Sequence, residues 1–398
     1  MRIEKKVLCL GLAAFLGAGP CRTAWAGQTP EQAARLNDNV MEYDEIFDLL
    51  KYKYGPIKSA YDQVESSLDD SASIMVETSI KADDLKDTLD ELEDSMKDMP
   101  PEAQAGLQAS VAELKAGIKA SKSGLFFGNQ SLNKGRESAL RTVDRSTNGL
   151  VWQVESLMNQ YQQLLSQRQI VAKSVELSQR AKDLQVQMEA QGMAVSADVL
   201  SAAAQLSSAQ NQLKSMDDGI GSLGSVLCSF AGASADSGMQ IGPVPAADAA
   251  AVASIDVVSD LEKAVNNNYN VIAMRGSGSV QSLVEQQMVK STTAKKNKLR
   301  DTEYLENQVS SNVQTLYDDV LEKKARYDSA ATAWQSAQNT WNAAQVQRQT
   351  GMLSDIQYLQ QELAYLQAKS GMECADLNLQ QSMRNYEWAV KGVEVTAQ

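Results

Sequence analysis

Apolar residues recur along this chain at alternating steps of three and four, the period of helices that share a seam with a neighbour. Tyr327, Ala330, Trp334, Ala337, Trp341 and Ala344 form one seam, which Ile356, Leu359, Leu363 and Leu366 resume after Gly351-Met352-Leu353-Ser354. Leu150, Val154, Leu157, Tyr161 and Leu164 form another. It stops at Gly192-Met193-Ala194-Val195 and returns through Val199, Leu200, Leu206 and Leu213. A glycine followed by a short polar step is a reversal between antiparallel helices. The pattern predicts two long helical hairpins. One helix runs from about Leu140 to Gln191 and the other from about Leu299 to Gly351; the last helix returns past Met383, Tyr386, Trp388 and Val390. Fifty helical residues span ~75 Å, longer than a compact core requires, so each is a coiled-coil strand or a stave of an α-barrel.

Shorter heptads precede these. Ile57, Tyr61, Val64 and Leu68, then Leu85, Leu89, Leu92 and Met96, then Leu107, Val111, Leu114 and Ile118 predict a helical hairpin over residues 57–121, interrupted by Pro100-Pro101. Phe126-Phe127, bounded by Gly124 and Gly128, reads as a loop packing its own apolar residues, with a short strand or a membrane-touching loop as the alternatives. Gly219, Gly221, Gly224, Gly232, Gly238 and Gly242, with Pro243 and Pro245, mark a linker. The second half opens at Asp260 and is loosened at Gly276-Ser277-Gly278-Ser279. Lys290, Lys295, Lys296, Lys298 and Arg300 then form a basic cluster near a reversal, a solvated turn or a contact for anionic headgroups or wall polymer.

The two halves align. Gly192 matches Gly351, Met193 matches Met352, Leu200 matches Leu359 and Ala209 matches Ala368; at the starts, Ile46 matches Leu261, Leu50 matches Val265, Tyr54 matches Tyr269 and Ile57 matches Ile272. Start to glycine is 146 residues in the first copy (46 to 192) and 90 in the second (261 to 351), so the first carries about 56 more. The resulting division is a signal peptide over 1–26, a first helical repeat over 27–216 with a helical insertion around 60–135, a Gly/Pro linker over 217–255 and a second repeat over 256–398.

Composition narrows the chemistry. Arg2, Lys5 and Lys6, the apolar run from Val7 to Gly19 and Ala24-Trp25-Ala26 have the form of a secretory signal. Cys21 offers a lipidation site, although Pro20 before it fits one poorly. The formal charge of -13 over 398 residues argues against nucleic acid as a partner. The chain has no histidine, which removes the usual general base and the commonest metal ligand. There is no phosphate-binding glycine loop and no Cys-x-x-Cys. Asp83-Asp84, Asp90-Glu91 and Glu93-Asp94 read as solvated helix faces. Cys228 and Cys374, the cysteines outside the signal, read as small buried residues. Trp334 and Trp341 read as core. No catalytic, metal-binding or cofactor-binding residue is assigned, and the expectation is a non-enzyme.

Asp260-Leu261-Glu262-Lys263-Ala264-Val265-Asn266-Asn267-Asn268-Tyr269 resembles the opening of each repeat in the TolC-like outer-membrane efflux proteins, with Gly55-Pro56 and Asn270-Val271 at the polar step that follows. Gly192, Val195, Asp198 and Leu200, and Gly351, Ser354, Gln357 and Leu359, resemble the family's tip pattern. The likeness covers most of residues 40–393. It implies a homotrimer in which each subunit gives four helical strands to a twelve-helix α-barrel. It also implies tips (Gly192, Met193, Val195, Asp198, Leu200, Gly351, Met352, Ser354, Leu359) that dock a periplasmic adaptor serving an inner-membrane transporter. The chain would then be a passive duct for efflux or type I secretion in the cell envelope, or at the cell surface where there is one membrane. Two departures stand out. No alternating strand-like segments occur near 100–135 and 275–300, so β-barrel strands are expected to be reduced or absent. The acidic constriction past the second tip is replaced by Gln357 and Gln360, with Asp355 nearby. The alternative is a barrel-less structural coiled-coil protein of the envelope with no pore.

Overall fold

The computed structural model describes residues 29–66, 136–234, 237–275 and 292–395, with further single residues and short helical stretches between 86 and 118. The segment expected to be a signal (1–26), Pro100-Pro101, the Phe126-Phe127 patch and Gly276-Ser277-Gly278-Ser279 lie outside the described residues. The chain divides into two units at Asn39. In the first, α1 (Pro30–Arg35) is capped by Thr29, whose hydroxyl accepts from the Gln32 N–H at 3.2 Å while the Gln32 amide oxygen accepts from the Thr29 N–H at 3.1 Å. All that follows belongs to the second unit.

This unit opens with β1 (Val40–Met41), α2 (Ile46–Tyr52) and α3 (Gly55–Ser66). The first hairpin is α4 (Arg136–Ala190) and α5 (Ser196–Phe230). After it come β2 (Gln240–Ile241), α6 (Val257–Asn267) and α7 (Tyr269–Arg275), then the second hairpin, α8 (Thr292–Gln349) and α9 (Asp355–Val390). β1 and β2 pair in parallel, Val40 with Gln240 and Met41 with Ile241, and are the only strands among the described residues. The fold is all-α, built on long antiparallel hairpins. At 55 and 58 residues, α4 and α8 run for roughly 80–90 Å.

Helix ends differ from the pattern-based reading at two places. α5 continues through Gly219, Gly221 and Gly224 to Phe230, so these glycines are not linker. Leu223, Val226, Leu227 and Phe230 are buried there, and tertiary packing overrides the weak helix propensity of glycine. α8 begins at Thr292 rather than at about Leu299, which places Lys295, Lys296, Lys298 and Arg300 in its opening turns.

α4 packs against α5 on one side and α9 on the other, and α9 packs against α8. The four long helices therefore lie in the order α5–α4–α9–α8. The main core sits far from the two glycine turns, where α2, α3 and the end of α5 meet α4; Ile46, Leu49, Leu50, Ile57, Leu150, Val154, Leu157 and Phe230 are buried there. Towards the turns burial thins to the seams. On α8 only Ala344 is buried beyond Val320, and on α4 nothing is buried beyond Ser166. Trp334 and Trp341 face α9, with Trp334 4.9 Å from Tyr365 and Trp341 5.0 Å from Tyr358 between ring centroids.

The joint between the hairpins is polar. The Arg384 guanidinium forks onto the buried Glu155 carboxylate, which also accepts from the Trp388 indole N–H at 2.7 Å. Burial disfavours the Arg384 cation, but Glu155 more than offsets this and holds it charged. Trp152 donates to Asn385 (2.8 Å), Asn159 to the Leu377 carbonyl (2.6 Å), Ser166 to Ser370 (2.8 Å), and Lys173 pairs with Glu362 (3.0 Å). Each bond is specific to one pair of levels, so together they fix the axial register of α4 on α9. Cys228 is buried in α5 and Cys374 half-buried in α9; both are free, and burial pushes both thiols up.

The repeat seen in the sequence has a tertiary counterpart. α2 and α3 are separated around Lys53, seven residues past Ile46, and α6 and α7 at Asn268, seven past Leu261. Asn268 caps α7 by accepting from the Asn270 and Val271 N–H groups, so the polar step falls there and not at Asn270-Val271. α5 is closed by Gly232, two residues past its end and 40 past Gly192, and α9 by Gly392, two past its end and 41 past Gly351. Both have positive φ, and in both the next N–H bonds back to a carbonyl five residues earlier, Cys228 and Trp388. Gly232 lies on the Lys53 carbonyl and Gly392 on that of Asn267. Each copy thus closes its tail helix onto its own break.

At Gly232 an added Cβ would meet the Lys53 oxygen at 2.5 Å, and at Gly392 it would collide with Asn267; at Gly192 and Gly351 it would meet nothing within 4 Å. All four alanine variants carry about 1–2 kcal/mol of left-handed strain. Gly232→Ala and Gly392→Ala are expected to lose more, read as a lower urea midpoint by circular dichroism. An equal loss at all four sites would contradict the duplicated cradle.

Candidate functional site

Both hairpins reverse by the same backbone device. Gly192 (φ 74°) and Gly351 (φ 73°) are left-handed, the Met193 N–H donates to the Met188 carbonyl at 2.8 Å, and the Met352 N–H donates to that of Gln347 at 2.9 Å. The carbonyls left open at the end of each descending helix are satisfied this way. Four residues on, the return helices begin, and here the tips diverge.

The second tip is fully capped. The Ser354 hydroxyl accepts from the Gln357 N–H at 3.3 Å, and the Gln357 amide oxygen accepts from the Ser354 N–H at 3.0 Å. Arg348 adds a cross-tie: it donates to the Leu353 carbonyl at 3.1 Å, pairs with Asp355 and lies 5.7 Å from the Tyr358 ring centroid. In the first tip Val195 occupies the capping position and has no oxygen to offer. Only half the box forms, with Asp198 accepting from the Val195 N–H at 3.2 Å. Ser196 donates to Glu189 across the turn.

Exposure also differs. Met193 and Val195 are each 62% exposed, Leu200 73% and Met352 74%, whereas Leu359, the sequence counterpart of Leu200, is buried on the α8–α9 seam. Leu359 is thus withdrawn from the tip surface, and the aligned leucines differ in exposure. Asp355 and Gln357, candidates for a channel constriction, are held by contacts within their own hairpin; Gln360 is exposed. Leu184 and Val186, also exposed beside the first tip, and Arg348 escaped the sequence reading. The signal for the first two was present: neither fits the α4 seam.

The α4–α9 register sets the tips at different heights. Ser166 is 26 residues before Gly192, while its partner Ser370 is 19 past Gly351. Asn159 and Leu377 are 33 and 26 away, and Lys173 and Glu362 are 19 and 11. Each pair gives seven or eight residues, so the first tip projects about 10 Å beyond the second. Among the described residues no helix is long and apolar enough to cross a membrane, and no group of His, Cys, Asp or Glu is placed to hold a metal ion.

No family model and no curated protein matches the chain. Solved structures do. The Campylobacter jejuni CmeC outer membrane channel is 12% identical with a TM-score of 0.45, over 94% of this chain and 91% of that one. CusC is 13% identical with a TM-score of 0.44, over 78% and 96%. The outer-membrane channel OprN is 11% identical with a TM-score of 0.42, over 78% and 91%. CmeC and OprN are outer-membrane channels.

The capping difference has a measurable consequence. Ser354→Ala removes a hydroxyl cap and is expected to cost about 1 kcal/mol, whereas Val195→Ser supplies the missing one and is expected to gain up to about that amount. Hydrogen exchange of the amides in the first turns of α9 and α5 reads each tip separately. Unchanged protection in both variants would contradict the assignment.

Proposed function

We propose that this chain is one subunit of a passive helical duct in the cell envelope, a TolC-like outer membrane factor in which α5 of one copy closes onto α8 of the next. The observation that carries this reading is the absence of charge on the two edges of the four-helix layer. Residues 199–213 of α5 and 329–347 of α8 hold no Asp, Glu, Lys or Arg. Their exposed positions include Ser201, Ala204, Ser208 and Asn211 on α5, and Ser329, Ala333, Ser336 and Asn339 on α8. Solvated surface carries roughly 25–35% charged residues, so 19 residues of α8 would ordinarily hold several. α4, an inner helix, carries Arg168, Lys173, Glu176, Arg180, Lys182, Asp183 and Glu189 over a comparable stretch. Loss of charge on exposed helix faces is the mark of an interface, and small side chains there permit close helix approach.

Three copies joined edge to edge make a ring of twelve helices with all six tips at one end. This is the assembly that the repeat openings and tip motifs of the sequence imply. An adaptor docks at the tip end, and an inner-membrane transporter supplies the energy. No residue of the duct performs chemistry.

Ala204→Glu and Ala333→Glu each place a charge in the proposed seam. Each is expected to convert a detergent-purified trimer into monomers, measured as solution mass by light scattering, with helicity unchanged. A trimer indifferent to both substitutions contradicts the edge-to-edge seam. A wild-type protein that is monomeric with and without detergent favours a structural coiled-coil protein instead.

A further inference from the structure

We propose that the two tips are not equivalent: the first is a leading plug, received by a partner socket with an apolar floor and a basic rim, and the second is a rigid stop. This inference rests on the docking role proposed above. Its starting point is the height difference of seven or eight residues fixed by the Ser166–Ser370, Asn159–Leu377 and Lys173–Glu362 pairs. A partner approaching along the helix axes meets the first tip about 10 Å before it reaches the second. To touch both, it must lie alongside the last two turns of the first hairpin.

Those turns are where the first hairpin is apolar. Leu184, Val186, Met193, Val195 and Leu200 are 41%, 44%, 62%, 62% and 73% exposed. Among the described residues of α4 and α5 they are the exposed large hydrophobic side chains, and all five lie in the projecting part. Exposed apolar groups in one such cluster on an otherwise polar hairpin mark a contact surface. Nothing in the fold of one chain requires them there: the α4–α5 seam is carried on this side by Ala202, Leu206 and Ala209, which are buried.

Charge defines the rim. Over residues 182–200 the first tip carries Asp183, Glu189 and Asp198 against Lys182, a net -2, so the complementary surface is basic. The second tip carries Arg348 and Asp355, which pair with one another and present no net charge. Its full capping box, its cross-tie from Arg348 and the Trp341–Tyr358 contact hold it in one shape. Only Val346 and Met352 are large exposed apolar residues there.

The test uses the full mature chain in detergent and, as probe, the purified periplasmic adaptor of the producing cell's export system, with affinity measured by titration calorimetry. Val186→Asp and Leu200→Asp are each expected to weaken binding about tenfold or more, and Met352→Asp less than about threefold. Asp183→Asn is expected to reduce the fall of affinity with salt. Solution mass and helicity are measured for every variant. Equal losses at both tips, or a larger loss at Met352, overturn the proposal and leave the docking role intact. A Leu200→Asp variant that changes oligomer mass but not adaptor affinity also overturns it, assigning that face to a contact between copies. Failure of the wild-type protein to bind the adaptor overturns the docking role itself, and this inference with it.

Discussion

A single layer of helices can bury its seams but not its edges. Near α2 and α3 this constraint is relieved, because short helices cover α4 and supply a true core around Leu50, Ile57, Leu157 and Phe230. Beyond Ser166 none of the described short helices covers the layer, and the burial left on α4, α5, α8 and α9 comes from neighbouring long helices. Two responses are visible in the residues. The inner helix α4 keeps charges, as a solvated face does. The edge helices α5 and α8 lose them over residues 199–213 and 329–347 and substitute Ala, Ser, Gln and Asn. An edge of that composition is well suited to another helix and poorly suited to water, and for this reason a closed ring of copies satisfies the layer.

Within one chain, the α4–α9 joint decides how the two hairpins stand. It is made of specific polar pairs, from Glu155–Arg384 to Lys173–Glu362, rather than of interchangeable leucines. A sliding apolar seam tolerates several registers. A ladder of hydrogen bonds, anchored by a buried ion pair whose disruption costs about 3–5 kcal/mol, tolerates one. The height difference between the tips is a direct consequence, whereas what each tip presents follows from its own residues, Val195 in one and Ser354 in the other. The paired closures at Gly232 and Gly392 hold the opposite ends by the same device in both copies, so the asymmetry is concentrated at the tips.

Much of this was legible in the sequence because helices of this length announce themselves by period. The seam through Trp334 and Trp341 faces α9 as its spacing predicted, Leu150, Val154 and Leu164 are buried, and both glycine turns stand where a left-handed residue was needed. Glycine content misled at Gly219, Gly221 and Gly224, where packing of the flanking Leu223 and Val226 outweighs propensity. The alignment pairs the tip residues by position, but it does not separate what each one exposes. Leu200 and Leu359 match in register yet differ in exposure, because one lies on the seam of its own hairpin and the other does not. The polar ladder was invisible for a similar reason: Asn159 and Ser166 carry no local signal until α9 is placed beside them.

The central claim is that the uncharged edges meet in a closed ring, and cryo-electron microscopy of residues 27–398 tests it most directly. The account predicts threefold particles with a hollow twelve-helix wall, α5 of each copy lying against α8 of the next, and three leading tips standing about 10 Å beyond the other three. Isolated four-helix layers, or copies joined through any other pair of helices, would contradict it.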